Sequence, residues 1–157
     1  MRELYRAIDR RTILLLAGMI SLGLTMERSG AADHLARYFL DHVASLGPRY
    51  LLVVAYVATV LLTEVLTNNA CAVIMTPLVI VAAQDFGVDP RPFAFAVAYG
   101  ASASFLTPWG YQTNMFVYGP GGYRLLDFLK MGLPLSILTG VVVCLFLPLI
   151  WPITPLP

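Results

Sequence analysis

Apolar residues fill most of this chain, and the few polar positions that interrupt them define its elements. A first apolar run at 12–27 is short for a bilayer span, which takes about 20 residues. Arg10, Arg11 and Arg28 flank it, and their long side chains can reach the interfaces. The stretch "SGAADHLARYFLDHVASLG" then places apolar residues at 32, 35, 36, 39, 40, 43 and 46. Asp33, Arg37, Asp41 and Ser45 fall on the opposite side of the same helical period. This predicts an amphipathic helix over 30–46 lying in the plane of the interface. His34 and His42 each follow an aspartate there and are read as a hydrated polar face rather than metal ligands.

A third run covers 50–84 with no loop signal except Thr67-Asn68-Asn69. As one helix it would extend about 50 Å at 1.5 Å per residue, well past a hydrocarbon core of ~30 Å. The economical solution is a re-entrant hairpin: one arm enters, breaks at 67–69, and the second returns to the same side. Such irregular backbone is tolerated at depth only where it is buried in protein or lines a cavity. "DFGVDPRP" then reads as an aqueous loop, and 92–119 as a span rich in small residues that is unwound at "TPWGYQTN", residues 107–114. A last span at 132–151 ends on Trp151, an interfacial anchor. The expected fold is therefore an all-α membrane protein in a single transmembrane domain over 1–157. It comprises an interfacial amphipathic helix, a re-entrant helical hairpin and a discontinuous helix.

Composition agrees. The chain is 157 residues long, 59% hydrophobic and 12% charged, with a mean hydropathy of +0.77; soluble domains carry about 25% charged residues. Cys71 and Cys144 both sit inside apolar segments and read as small buried hydrophobes. No basic run suggests nucleic acid, and no nucleophile–base pair or metal cluster in the apolar regions suggests an enzyme. With the N-terminus inside, six basic residues (Arg2, Arg6, Arg10, Arg11, Arg124, Lys130) lie on the cytoplasmic side and four (Arg28, Arg37, Arg49, Arg91) outside. That bias favours a multi-pass protein of the cell (inner) membrane in this orientation.

Two interrupted membrane segments with polar tips point to a secondary-transport site near the midplane. Breaking a helix frees N–H groups that suit an anion and carbonyls that suit a hard cation such as Na⁺. Thr67, Asn68 and Asn69 supply a hydroxyl and two amides at the first break; Thr107, Thr113 and Asn114 offer the same chemistry at the second. Between residues 50 and 118 the sole basic residue is Arg91, in the aqueous loop. The counter-charge of a bound anion must then come from helix N-termini and co-bound cations, which couples anion binding to Na⁺. Glu64, one turn before the hairpin tip, is a candidate coupling carboxylate, as a proton site or cation ligand. The competing reading of each polar residue is a plain interhelical hydrogen bond.

The segments "TNNA", "SASFLTPWGYQTN" and "YGPGGYRLLDFLKMGLPL" carry a resemblance. The chain resembles the C-terminal half of the divalent anion/sodium symporter family, the citrate-transporter-like permeases of the ion transporter superfamily. It is most similar to the branch that carries TrkA-C domains. The resemblance implies one half of an inverted-repeat transporter, with Asn68 at the matching hairpin-tip Asn, Thr67 in place of Ser and Asn69 in place of Thr. It further implies Na⁺ held by Thr67, Asn68 and backbone carbonyls near Pro108 and Gly110. The anion, a dicarboxylate or sulfate, would meet Asn68, Asn69, Thr113 and Asn114. No cofactor is implied beyond Na⁺ as coupling ion; the implied partners are the bilayer, a second copy and the missing N-terminal half. This chain holds one repeat, as a truncated or split gene product would. A cation- or proton-coupled antiporter, a metalloid-anion exporter of the same superfamily, or a non-transporting membrane scaffold remain the alternatives.

Overall fold

The computed structural model describes residues 47–153 and isolated positions between 17 and 38. But for those positions, the expected span at 12–27 and interfacial helix at 30–46 lie outside the described residues. Between 47 and 153 the chain forms five helices: α1 (Pro48–Thr63), α2 (Asn68–Asp85), α3 (Arg91–Ser102), α4 (Gln112–Tyr118) and α5 (Leu125–Ile150).

Local chemistry sets each boundary. Gly47 enters α1 at φ 100° and Pro48 occupies the first turn, where a missing N–H costs nothing. At the end of α1 the Leu62 carbonyl is shared by the Val65 and Leu66 N–H groups, at 3.0 and 2.8 Å, as is common in a helix's last turn. Thr67 then caps α2, its hydroxyl accepting the Ala70 N–H at 3.2 Å. The break therefore spans 64–67 rather than the expected 67–69, and Asn68 and Asn69 form the first turn of α2. At the far end of α2, Gly87 turns at φ 64°. There the Val88 N–H reaches back to Ala83 O at 3.1 Å, a closure that only a residue at ease in the left-handed region permits.

Helix α3 is the hub and packs on α1, α2 and α5, while α1 also meets α2 and α5. The first turn of α2 folds back on α1, with Cys71 Sγ donating to Thr59 O at 3.4 Å. Cys71, Met75, Val79 and Ala83 form a fully buried stripe on α2, one residue per turn. Small residues let α1 and α3 approach closely. A Cβ on Gly100 would lie 3.0 Å from Thr59 Cβ and 3.1 Å from Tyr56 O. Gly100→Ala is accordingly expected to cost about 1 kcal/mol through overpacking. A drop in the thermal midpoint of the purified protein measures it, and an unchanged midpoint would show that the crossing has slack.

Helix α5 is the one helix among the described residues that is long and apolar enough to cross a membrane. It spans roughly 39 Å at 1.5 Å per residue. It starts at Leu125 rather than near 132, because Asp127 accepts the Arg124 N–H at 2.8 Å and nucleates the first turn. Pro148 lies inside the last turn, and the helix ends at Trp151, which stacks on Phe95 at 4.5 Å between ring centroids. Most of its large side chains, Leu126, Met131, Leu138 and Leu149 among them, face outward. That is the disposition of a helix surrounded by lipid or other spans rather than water.

Candidate ion and anion site

The second break begins earlier than expected. Helix α3 ends at Ser102, the chain is unwound over 103–111, and Thr113 and Asn114 belong to α4. The reason is visible in the hydrogen bonds. The Leu106 N–H, which would continue the helix ladder, is spent on Glu64 Oε1 at 3.0 Å. The Thr107 hydroxyl donates to Glu64 Oε2 and accepts the Gly110 N–H at 3.0 Å. Asn114 Nδ2 donates to Ser104 O at 2.9 Å and Thr107 O at 3.3 Å, bracing the unwound strand from the other side.

Around Asn68 the two breaks meet. Ser104 Oγ lies 2.9 Å from Asn68 Oδ1, and Thr63 Oγ1 also lies 2.9 Å from it. Thr63 Oγ1 is in addition 3.0 Å from Ala101 O and 3.2 Å from Ser104 Oγ. Two hydroxyl hydrogens must serve four oxygen–oxygen contacts, so half of these contacts have no proton to bridge them. Thr63 and Ser104 are both almost fully buried. An oxygen-rich, hydrogen-poor cluster of neutral donors is what a hard monovalent cation coordinates.

Beside the cluster opens a recess of about 420 Å³, lined by Thr67 of the first break with Asn68 and Asn69 of the α2 first turn, and by Trp109, Gly110 and Tyr111 of the second break with Gln112 at the start of α4. Ser102 joins them, and none of the lining residues is charged. The α2 N-terminus, whose first N–H groups have no acceptor within the helix, borders the same space.

The expected residues separate into groups. Asn68 belongs to both the oxygen cluster and the recess. Asn69 is exposed and lines the recess; Thr67 lines it too, with its hydroxyl engaged in the cap. Gly110 lines the recess, whereas Pro108 is fully buried behind it. Thr113 is exposed and outside the lining, and Asn114 spends its amide on backbone carbonyls and borders a separate apolar cavity. Glu64 is buried and faces the second break. Thr63, Ser102, Ser104 and Gln112 were not singled out by pattern. Thr63 sits one turn before Thr67, the only local hint; Ser104 lies in a run of small residues that reads as packing. Among the described residues no group of His, Cys, Asp and Glu could hold a metal ion.

Comparison with known proteins places this arrangement in a family. Residues 1–155 match the citrate transporter family, CitMHS. An uncharacterised transporter of Synechocystis sp. is 45% identical over 153 residues, covering 98% of this chain and 25% of that protein. An uncharacterised transporter of Escherichia coli is 33% identical over 148 residues, 94% of this chain and 24% of its own length. Sodium/sulfate cotransporter 2 of Chlamydomonas reinhardtii is 34% identical over 131 residues, 81% of this chain and 13% of its own length. The chain thus spans about a quarter or less of these relatives. A match running through both breaks and nearly the whole chain shows that it belongs to the citrate transporter family of membrane transporters, and is not an enzyme.

Proposed function

We propose that this chain forms one half of a sodium-coupled symporter for a small divalent anion, a dicarboxylate or sulfate. The observation that carries the reading is the cluster in which Asn68 Oδ1, Thr63 Oγ1, Ser104 Oγ and Ala101 O crowd together with too few hydrogens. Na⁺ placed there would replace the missing protons, and Asn68 would join it to the recess where the anion sits. The carbonyls near Pro108 and Gly110 stand as further ligands, and Thr67, Asn69 and Gln112 as neutral partners of the anion. Because the lining carries no Lys or Arg, the anion's compensating charge comes from the cation and from the α2 N-terminus. Binding of one then favours binding of the other. Each net positive charge imported would draw about 2.3 kcal/mol per 100 mV of membrane potential. The sodium/sulfate relative supports the ion pairing chosen.

In this reading α1 and α2 are the arms of a re-entrant hairpin, and the site closes only against a second, inverted repeat. The assembled transporter is a multi-pass homodimer in the cell membrane. An exchanger driven through Glu64 gains no support, since both carboxylate oxygens are engaged by the second break.

The direct test compares thermal stability in Na⁺ and K⁺ at equal ionic strength. A tenfold excess of Na⁺ over its Kd is expected to raise the midpoint by roughly 3 °C or more. Equal midpoints in the two salts would refute sodium binding by this half.

A further inference from the structure

We propose that Glu64 is a positioning residue: its carboxylate is the latch that holds the unwound stretch 103–111 against the α1–α2 turn, acting through Thr107. Glu64 closes the C-terminus of α1 and is 7% exposed. It takes the Leu106 N–H on one oxygen and the Thr107 hydroxyl on the other. In every contact the carboxylate accepts. Thr107 passes the constraint on, because the same hydroxyl receives the Gly110 N–H at 3.0 Å. Three residues of the second break are thus tied to one side chain of the first.

Gly110 completes the device. A Cβ there would lie 2.6 Å from Glu64 Oε2 and 3.1 Å from Thr107 Oγ1, so the latch closes only over a residue without a side chain. The tie also sets the geometry of the neighbouring oxygen cluster. Thr63 and Glu64 are consecutive, as are Leu106 and Thr107, while Ser104 lies two residues before Leu106. Fixing 106–107 to residue 64 therefore fixes how far Ser104 stands from Asn68. Hydrogen bonds to a charged group are among the stronger ones in proteins, and a buried carboxylate that loses one partner destabilises what it holds. A latch of this kind makes the two breaks move as one body. Its consequence for transport rests on the sodium-coupled reading above; the tie itself does not.

Amide hydrogen exchange on the purified full chain in lipid nanodiscs tests it. Glu64→Gln and Thr107→Val are each expected to speed exchange at Leu106 and Gly110 roughly tenfold or more. Core amides such as Ala55 and Ala96 should be unaffected. The double variant should add little to either single change, and Thr107→Ser, which keeps the hydroxyl, should restore protection. Unaltered protection at 106 and 110 in both single variants, or multiplying effects in the double variant, would overturn the latch. If Glu64→Gln also exposes the core, Thr107→Val alone decides, since it leaves the carboxylate in place. A parallel Na⁺ titration separates the two ideas. Sodium stabilisation with no change at 106 and 110 defeats the latch and spares the symporter reading. Loss of protection in a protein indifferent to Na⁺ does the reverse. Where both hold, Thr107→Val should weaken the apparent affinity for Na⁺ more than Thr107→Ser does.

Discussion

Asn68→Ala is expected to abolish the Na⁺-dependent stabilisation proposed above and, once the complementary half is supplied, to lower any Na⁺-driven sulfate uptake roughly a hundredfold. The expectation follows from the position of Oδ1. It is the acceptor shared by Ser104 of the second break and Thr63 of α1, and its residue also lines the recess. Losing one strong ligand to a charge costs about 1.5–3 kcal/mol, and each 1.4 kcal/mol is tenfold. The fold should survive, because Thr63 can still donate to Ala101 O and lies near enough to Ser104 to bond it. The stability in K⁺ should therefore stay within about 1 kcal/mol of the parent protein. Asn68→Asp, which keeps an oxygen at the same place, should retain the sodium effect. Uptake unchanged in Asn68→Ala, with the protein present at normal levels, would remove Asn68 from the site.

Gly132→Ala carries the largest expected loss of stability. Gly132 lies on α5 where the helix passes the unwound stretch. A Cβ there would overlap the Phe105 carbonyl oxygen and lie 2.6 Å from its carbon. The obstacle is backbone, which cannot swing aside like a flexible side chain, and Phe105 directly precedes the Leu106 N–H held by Glu64. Relief requires α5 to move away or 103–107 to shift, at a cost of about 3 kcal/mol. Thermal unfolding should report that loss and, because Ser104 shifts with Phe105, a weakened response to Na⁺. Leu126→Ala on the outward face of the same helix, 62% exposed, should change neither by comparison. If Gly132→Ala matched that control, the close approach of α5 to the second break would be wrong.

Both substitutions probe an arrangement that the sequence foreshadowed unevenly. The two interruptions were legible because polar amides, prolines and glycines within long apolar runs have few explanations at membrane depth. Thr67, Asn68, Asn69 and Gly110 were found by that logic, and all four line the recess. The limits of the interruptions were less legible. Each is set by a side chain taking a backbone N–H: Thr67 capping Ala70 moves the first, and Glu64 capturing Leu106 moves the second. The cap is local and readable in principle. The capture joins residues 42 positions apart and has no signature along the chain.

The sequence by itself determined the helical class, the two breaks, the presence of a single basic residue, Arg91 in the loop, between 50 and 118, and membership of a transporter family through its motifs. These follow from periodicity, breaker residues and composition, which are properties of short stretches. Only the tertiary structure decided which polar groups belong together. It drew Thr63 and Ser104 into the oxygen cluster, turned Asn114 to bracing, left Thr113 outside, and placed Glu64 as a bridge between the breaks. A hydroxyl's role depends on which oxygen lies 3 Å away, and that neighbour is supplied by the packing of α3 against α1, not by the adjacent residues.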